Sequence, residues 1–241
     1  MENLIFAGIV FIGILTSSFA GFGGALVAIP LLTIFFEPKE VIPAFTLLSF
    51  FVSIFLVIET YQYIKWKKVF TFLIGGLIGV PIGAYGLVHL NPDILRAVIG
   101  GLVALFGLLF LSGLRLPFKE RRSTEIGVGL VSGLLGGSTS MAGPPVVIFG
   151  IGCNWDKNSF RATLLTYFLL LGIITNSSFF FFHLFTPSNL KLFLFAFVPA
   201  VFASWLGVRF KNKVSEVKFR RAILILIIAV GILGLSRILL K

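Results

Sequence analysis

The sequence contains a single cysteine, Cys153, in 241 residues. That excludes an intrachain disulfide and any multi-cysteine metal site. Its two histidines, His89 and His183, stand far apart near the ends of apolar runs, so no His-rich metal centre is expected. Charge is scarce too: Asp, Glu, Lys and Arg make up 12% of the chain, and only 9 residues are acidic. No Walker motif is present, which excludes ATP hydrolysis by that route. No Ser/His/Asp set, His-Glu-x-x-His or paired-Asp constellation is visible. The chain is therefore expected not to be an enzyme, and to need no cofactor. Met1-Glu2-Asn3 lacks the basic n-region of a signal peptide, so the first apolar run is expected to be retained.

What the chain has in abundance is apolar surface. It is 58% hydrophobic with a mean hydropathy of +1.08, and apolar runs near 20 residues recur throughout. These features define an all-α, polytopic protein of the cell membrane. The net charge of +11 comes from basic clusters between the apolar runs. Such clusters are topology signals, and no nucleic-acid partner is expected.

Two of the runs are interrupted. The first carries Ser17-Ser18-Phe19-Ala20-Gly21-Phe22-Gly23-Gly24-Ala25-Leu26-Val27-Ala28-Ile29-Pro30, and the second Gly136-Gly137-Ser138-Thr139-Ser140-Met141-Ala142-Gly143-Pro144-Pro145. Either stretch read alone is compatible with glycines that let helices pack closely. Two in corresponding positions favour broken helices, which lipid tolerates only where the freed backbone is buried or lines a cavity.

The runs cover 4–36 (with the first break), 41–63, 69–90 and 94–114. A polar linker at 115–122 follows, and then 126–152 (with the second break), 160–185, 190–210 and 222–240. Laying Gly24 on Gly143 also lays Gly8 on Gly127, an offset of 119, and brings Pro81 within one residue of Pro199. This is an internal duplication, with repeats 1–118 and 119–241 in one membrane domain. Each repeat is expected to hold a broken-helix hairpin and three further spans.

Charge then orients the chain. If each broken segment returns to the side it entered from, 15 of the 20 Lys and Arg share one side. These are Lys65, Lys67, Lys68, Arg115, Lys119, Arg121, Arg122, Lys157, Arg161, Arg209, Lys211, Lys213, Lys218, Arg220 and Arg221. Lys39, Arg96, Lys191, Arg237 and Lys241 face the other side. If each broken segment crosses once, the split is 10 to 10. Only the hairpin arrangement obeys the positive-inside rule. It places the N-terminus outside and the halves in inverted orientation, a transporter plan.

At the first break the amides of Gly23, Gly24, Ala25 and Leu26 lie near a half-helix start and favour an anion. A side chain at Gly23 or Gly24 is expected to fill the space in which an anion meets those amides. At the second break, Pro144 and Pro145 bring no N–H, so Ser138, Thr139 and Ser140 beside Gly143 are the candidate donors, with back-bonding to carbonyls as their alternative. Ser17 and Ser18 precede the first glycine and are expected to matter less. Thr46, Ser49, Thr163, Thr166 and Asn176 are candidates to complete a polar pocket. No Lys or Arg stands well inside an apolar run, so amides and hydroxyls are expected to hold a small anion. Glu59 is the one carboxylate inside a long apolar run. It is a candidate for proton coupling, with an interfacial, solvated position as the alternative because Lys65 follows six residues later.

The stretch from Gly21 to Leu32, together with Ala142-Gly143-Pro144-Pro145-Val146-Val147 and the duplicated plan, resembles the sulfite exporter TauE/SafE family of membrane proteins. Ser140-Met141-Ala142-Gly143 departs from the Gly-x-Gly-Gly common in that family. The resemblance implies transport, mostly outward, of small sulfur-containing anions such as sulfite, sulfoacetate or related organosulfonates. The expected function is a secondary carrier working by alternating access. A passive anion channel and a non-transporting scaffold are the alternatives, and the bilayer and the anion are the expected partners.

Overall fold

In the computed structural model, which describes residues 1–113 and 116–210, the chain is helical throughout, with no strand among the described residues. Among the described residues nine α-helices follow in order: α1 Glu2–Ala20, α2 Gly24–Phe35, α3 Pro38–Thr60, α4 Trp66–His89, α5 Pro92–Ser112, α6 Arg122–Thr139, α7 Gly143–Gly152, α8 Lys157–Phe181 and α9 Pro187–Phe210. Six of these (α1, α3, α4, α5, α8 and α9) are long and apolar enough to cross a membrane, with α2 and α7 shorter apolar helices. The chain is an integral membrane protein. The basic run at 211–221 and the last apolar run at 222–240 lie outside the described residues, as does Arg115.

Local chemistry explains the boundaries. Asn91 caps α5 by accepting from the Asp93 amide at 2.9 Å, and Pro92 fills the first turn, where no N–H is needed. Asp156 caps α8 in the same way through Ser159. α1 ends at Gly21 in left-handed backbone, φ 84, whose N–H closes on the Ser17 carbonyl at 2.7 Å. α6 ends in the same geometry at Ser140, φ 62, closing on Gly136 at 3.0 Å. The offset of 119 lays Gly21 on Ser140, Gly24 on Gly143 and Pro38 on Lys157, so the starts of α2 and α7 and of α3 and α8 coincide.

Both broken segments fold back. The Phe6 ring near the start of α1 meets Phe36, just past α2, with centroids 5.9 Å apart. Cys153, just past α7, reaches the Phe118 carbonyl ahead of α6. The hairpin arrangement expected from the charge pattern is the one present. One end of the molecule gathers Lys65, Lys68, Glu120, Glu125, Trp155 and Asp156 in ion pairs and hydrogen bonds. At the other end, Lys39 donates to the Val88 carbonyl, Arg96 to that of Thr33, and Ser188 to Glu40.

Helices related by the offset of 119 exchange packing partners. α4 packs on α6 and its counterpart α9 on α1; α3 packs on α9 as α8 does on α4; α3 and α8 meet each other. The α4–α6 contact is the tightest, backbone on backbone. A Cβ at Gly79 would sit 2.2 Å from the Leu130 carbonyl oxygen, and one at Gly137 would sit 2.3 Å from that of Val80. Only glycine permits that approach.

Candidate functional site

The two helix breaks, 119 residues apart in sequence, line one cavity of about 120 Å³ between α1, α2, α3, α6, α7 and α8. The first break contributes Gly21, Phe22, Gly23, Gly24 and Ala25, and the second Ser140, Ala142 and Gly143. They face each other closely: a Cβ at Gly143 would lie 4.0 Å from Phe22 Cβ. α3 adds Thr46, Ser49 and Ser53 on one stripe, and α8 adds Phe168, Leu171, Gly172 and Thr175.

The amides at the first break are placed as expected. The α2 ladder begins with the Val27 N–H on the Gly23 carbonyl at 3.2 Å. Gly24, Ala25 and Leu26 therefore precede it, at the positive end of the helix dipole. Gly23 holds left-handed backbone, φ 90, with Thr16 Cγ2 3.8 Å from where a Cβ would be, so it is required by conformation. Gly24 differs from expectation. A Cβ there would point into α1, 2.7 Å from the Gly13 carbonyl oxygen and 2.9 Å from Ser17 Cβ. Its missing side chain closes the hairpin; it does not clear space for an anion.

At the second break, Ser140 lines the cavity whereas Ser138 and Thr139 do not. α6 runs on through Thr139, so the residues sharing a face with Ser140 are those one turn back, such as Gly136, which lines the cavity. The Ser138 hydroxyl donates to the Leu134 carbonyl and that of Thr139 to Leu135, both at 2.8 Å. Thr46 Oγ1 donates to Ser140 Oγ at 2.9 Å, with the Ile42 carbonyl 2.7 Å away as a second acceptor. The structure thus joins α3 to the second break through two hydroxyls inside the cavity.

Of the other expected polar residues, Ser49 lines the cavity, but Thr163, Thr166 and Asn176 are not in its wall. Thr163 accepts from the Lys65 amide, Thr166 donates to the Ala162 carbonyl, and Asn176 donates to the Gly172 carbonyl. Ser17, expected to matter less, is in the wall, and two lining groups, Ser53 and Thr175, were not singled out from sequence. Ser17 faces the cavity one turn before Gly21, as Gly136 does before Ser140. Ser53 extends the 46/49 stripe by one turn, and Thr175 completes the face of Phe168 and Gly172. The helical spacing of Ser53 from Ser49 was the available signal.

Among the described residues, no charged one lines the cavity. The charges nearest in sequence to its wall lie one turn beyond it: Glu59 past Leu56 on α3, and Arg161 ahead of Leu165 on α8. Glu59 Oε2 stands 3.7 Å from Arg161 Nη2, with the two side chains 29% and 14% exposed. Arg161 also donates to the Ser18 carbonyl at 2.8 Å, at the end of α1. Arg161 stands near the start of its run, yet it is buried, because the break in α1 brings the Ser18 carbonyl against a side chain 143 positions later.

Comparison with curated proteins and with solved structures gives no match. The family model described as sulfite exporter TauE/SafE matches residues 5–233, nearly the whole chain. With its six membrane-length helices and its two breaks meeting at one cavity, the chain belongs to the sulfite exporter TauE/SafE family of membrane transporters.

Proposed function

We propose that the protein is a secondary carrier that exports a small sulfur-containing anion, sulfite or an organosulfonate such as sulfoacetate, by alternating access of its two halves. The observation that carries this reading is the meeting of both helix breaks on one small cavity. Among the described residues, that cavity is lined by amides, hydroxyls and apolar side chains and by no carboxylate. Such a wall suits an oxyanion that must also leave, since amides and hydroxyls hold charge without the grip of a buried ion pair. The volume suits a small solute and is well below the few hundred Å³ of a drug-sized ligand site. The exchange of packing partners between the halves supports a duplicated carrier, and inversion of the halves is part of the proposal. The charge pattern supports an external N-terminus in the cell membrane. Gly23, Gly24, Ala25, Thr46, Ser49, Ser140 and Gly143 are the proposed anion-facing positions.

Counterflow decides between carrier and channel. Proteoliposomes loaded with unlabelled sulfite are expected to accumulate labelled sulfite transiently above equilibrium. Simple equilibration without overshoot would replace the carrier with a passive anion channel. Proton coupling through Glu59 predicts that Glu59→Gln keeps this exchange and loses its response to a pH gradient.

A further inference from the structure

Building on the anion-carrier reading, we propose that Arg161 is the anion-recruiting gate residue of the cavity and that Glu59 is the carboxylate an incoming anion displaces. Neither residue lines the cavity, yet each continues a lining helix face by one turn, Arg161 four residues before Leu165 and Glu59 three after Leu56. The two side chains stand together one turn beyond the wall, where the proposed gate places a mouth of the cavity. The Arg161 stem lies across the lining residue Gly21, where a Cβ would meet its Cγ at 3.1 Å. Among the described contacts, the guanidinium ties α8, which carries it, to the end of α1 through the Ser18 carbonyl and to the last turn of α3 through Glu59.

The two ties differ in kind. The Ser18 carbonyl belongs to the last turn of α1, which has no intrahelical donors of its own, and at 2.8 Å it holds the guanidinium without neutralising it. The Glu59 carboxylate supplies the opposite charge at 3.7 Å, beyond the 2.7–2.9 Å of a charge-assisted hydrogen bond. A planar guanidinium offers paired N–H groups that match an oxyanion. An anion at the mouth thus competes with Glu59 and leaves the Ser18 bond in place. As the anion takes the guanidinium, the tie to α3 is released and the mouth opens onto the amides of the first break. In the orientation proposed above, this mouth faces the cytoplasm, where export begins.

An ion pair that only braces the fold and one that recruits substrate give opposite signatures. The test is isothermal titration of the full-length protein in detergent with sulfite, thiosulfate, sulfate and sulfoacetate, alongside melting temperatures. Removing the cation in Arg161→Gln should weaken binding at least about tenfold, as loss of a hydrogen bond to a charged group does, and Arg161→Lys should recover part of that loss. Removing the competitor in Glu59→Gln should tighten binding roughly threefold, the scale of a partly exposed ion pair. Should Arg161→Gln fail to fold, the Glu59→Gln result decides alone. Weaker or unchanged binding in Glu59→Gln would overturn the gate and leave the carrier reading intact. A wild type that binds none of the four anions would overturn both.

Discussion

Ser140 holds left-handed backbone at the position where the first half has Gly21, and a side chain tolerates that conformation poorly. Its hydroxyl accepts from Thr46 within the cavity wall. Ser140→Gly therefore separates site from fold. It should leave the melting temperature unchanged or slightly raised, since glycine suits φ 62. If the hydroxyl meets the anion, it should also weaken sulfite binding about tenfold. Ser138→Ala, whose hydroxyl serves a carbonyl of its own helix, should leave binding within about twofold, a change worth under ~0.5 kcal/mol. Equal effects at the two positions would exclude a role for this break in binding. The neighbouring glycines divide in the same way. Gly23→Ala strains the backbone without a clash, whereas Gly24→Ala drives a methyl into the Gly13 carbonyl and should loosen the α1–α2 hairpin itself.

Between elements, the α4–α6 contact should dominate stability. Gly79→Ala places a methyl against backbone that has no rotamer with which to yield, so a loss of about 1–3 kcal/mol is expected. Gly101→Ala is the control: nothing lies within 4 Å of its added carbon, and alanine should be neutral or gain up to about 1 kcal/mol in helix propensity. Thermal unfolding in one detergent measures both. A second element-scale tie joins α4 to the linker ahead of α6. Glu120 accepts from Lys68 at 2.8 Å and from the Trp155 indole at 2.6 Å. The hydrogen bond from Lys68 holds the Glu120 carboxyl below its ordinary value of 4.5. A lowered carboxylate pKa stabilises above the unfolded value and loses that contribution as pH falls through the folded one. The melting-temperature difference between wild type and Glu120→Gln should therefore be level from pH 6 to 8 and close as pH falls below about 4. It should be small, because the carboxylate is 41% exposed. A difference that grew on acidification would contradict the pairing.

At the scale of the whole molecule, the sequence was most informative where one residue type forces a backbone event. Gly21 and Gly23 inside an apolar run, together with the offset of 119, marked both breaks. It was least informative about rotation and partners. Whether Ser138 or Ser140 faces the cavity depends on where α6 stops, since each residue turns the face by about 100°. Gly75, Gly79 and Gly83 recur every fourth residue, as do Gly129, Gly133 and Gly137, but periodicity does not say that these two stripes meet. Arg161 was read as one of the basic residues that share one side, and the sequence does not show that the end of α1 packs against it.

Among the described residues, the hairpins also sort the loops to one of two ends, which makes orientation a single binary question. The linker ahead of α6 sits with Lys65, Lys68 and Trp155, whereas Asp93 sits with the end of α2, through Arg96 on Thr33. Among the described residues, Lys65, Lys67, Lys68, Lys119, Arg121, Arg122, Lys157, Arg161 and Arg209 gather toward the first end, and Lys39, Arg96 and Lys191 toward the second. The proposed orientation, which the positive-inside rule favours, puts the first end in the cytoplasm. With Cys153 replaced by alanine, Lys119→Cys should resist an impermeant thiol reagent on intact cells and react once the cells are opened. Asp93→Cys, with its side chain 76% exposed in the wild type, should react from outside. The reverse pattern would invert the protein and make the Arg161 mouth external. Labelling of both positions from outside would mean that the linker and the α4–α5 turn share a side, which the hairpin arrangement forbids.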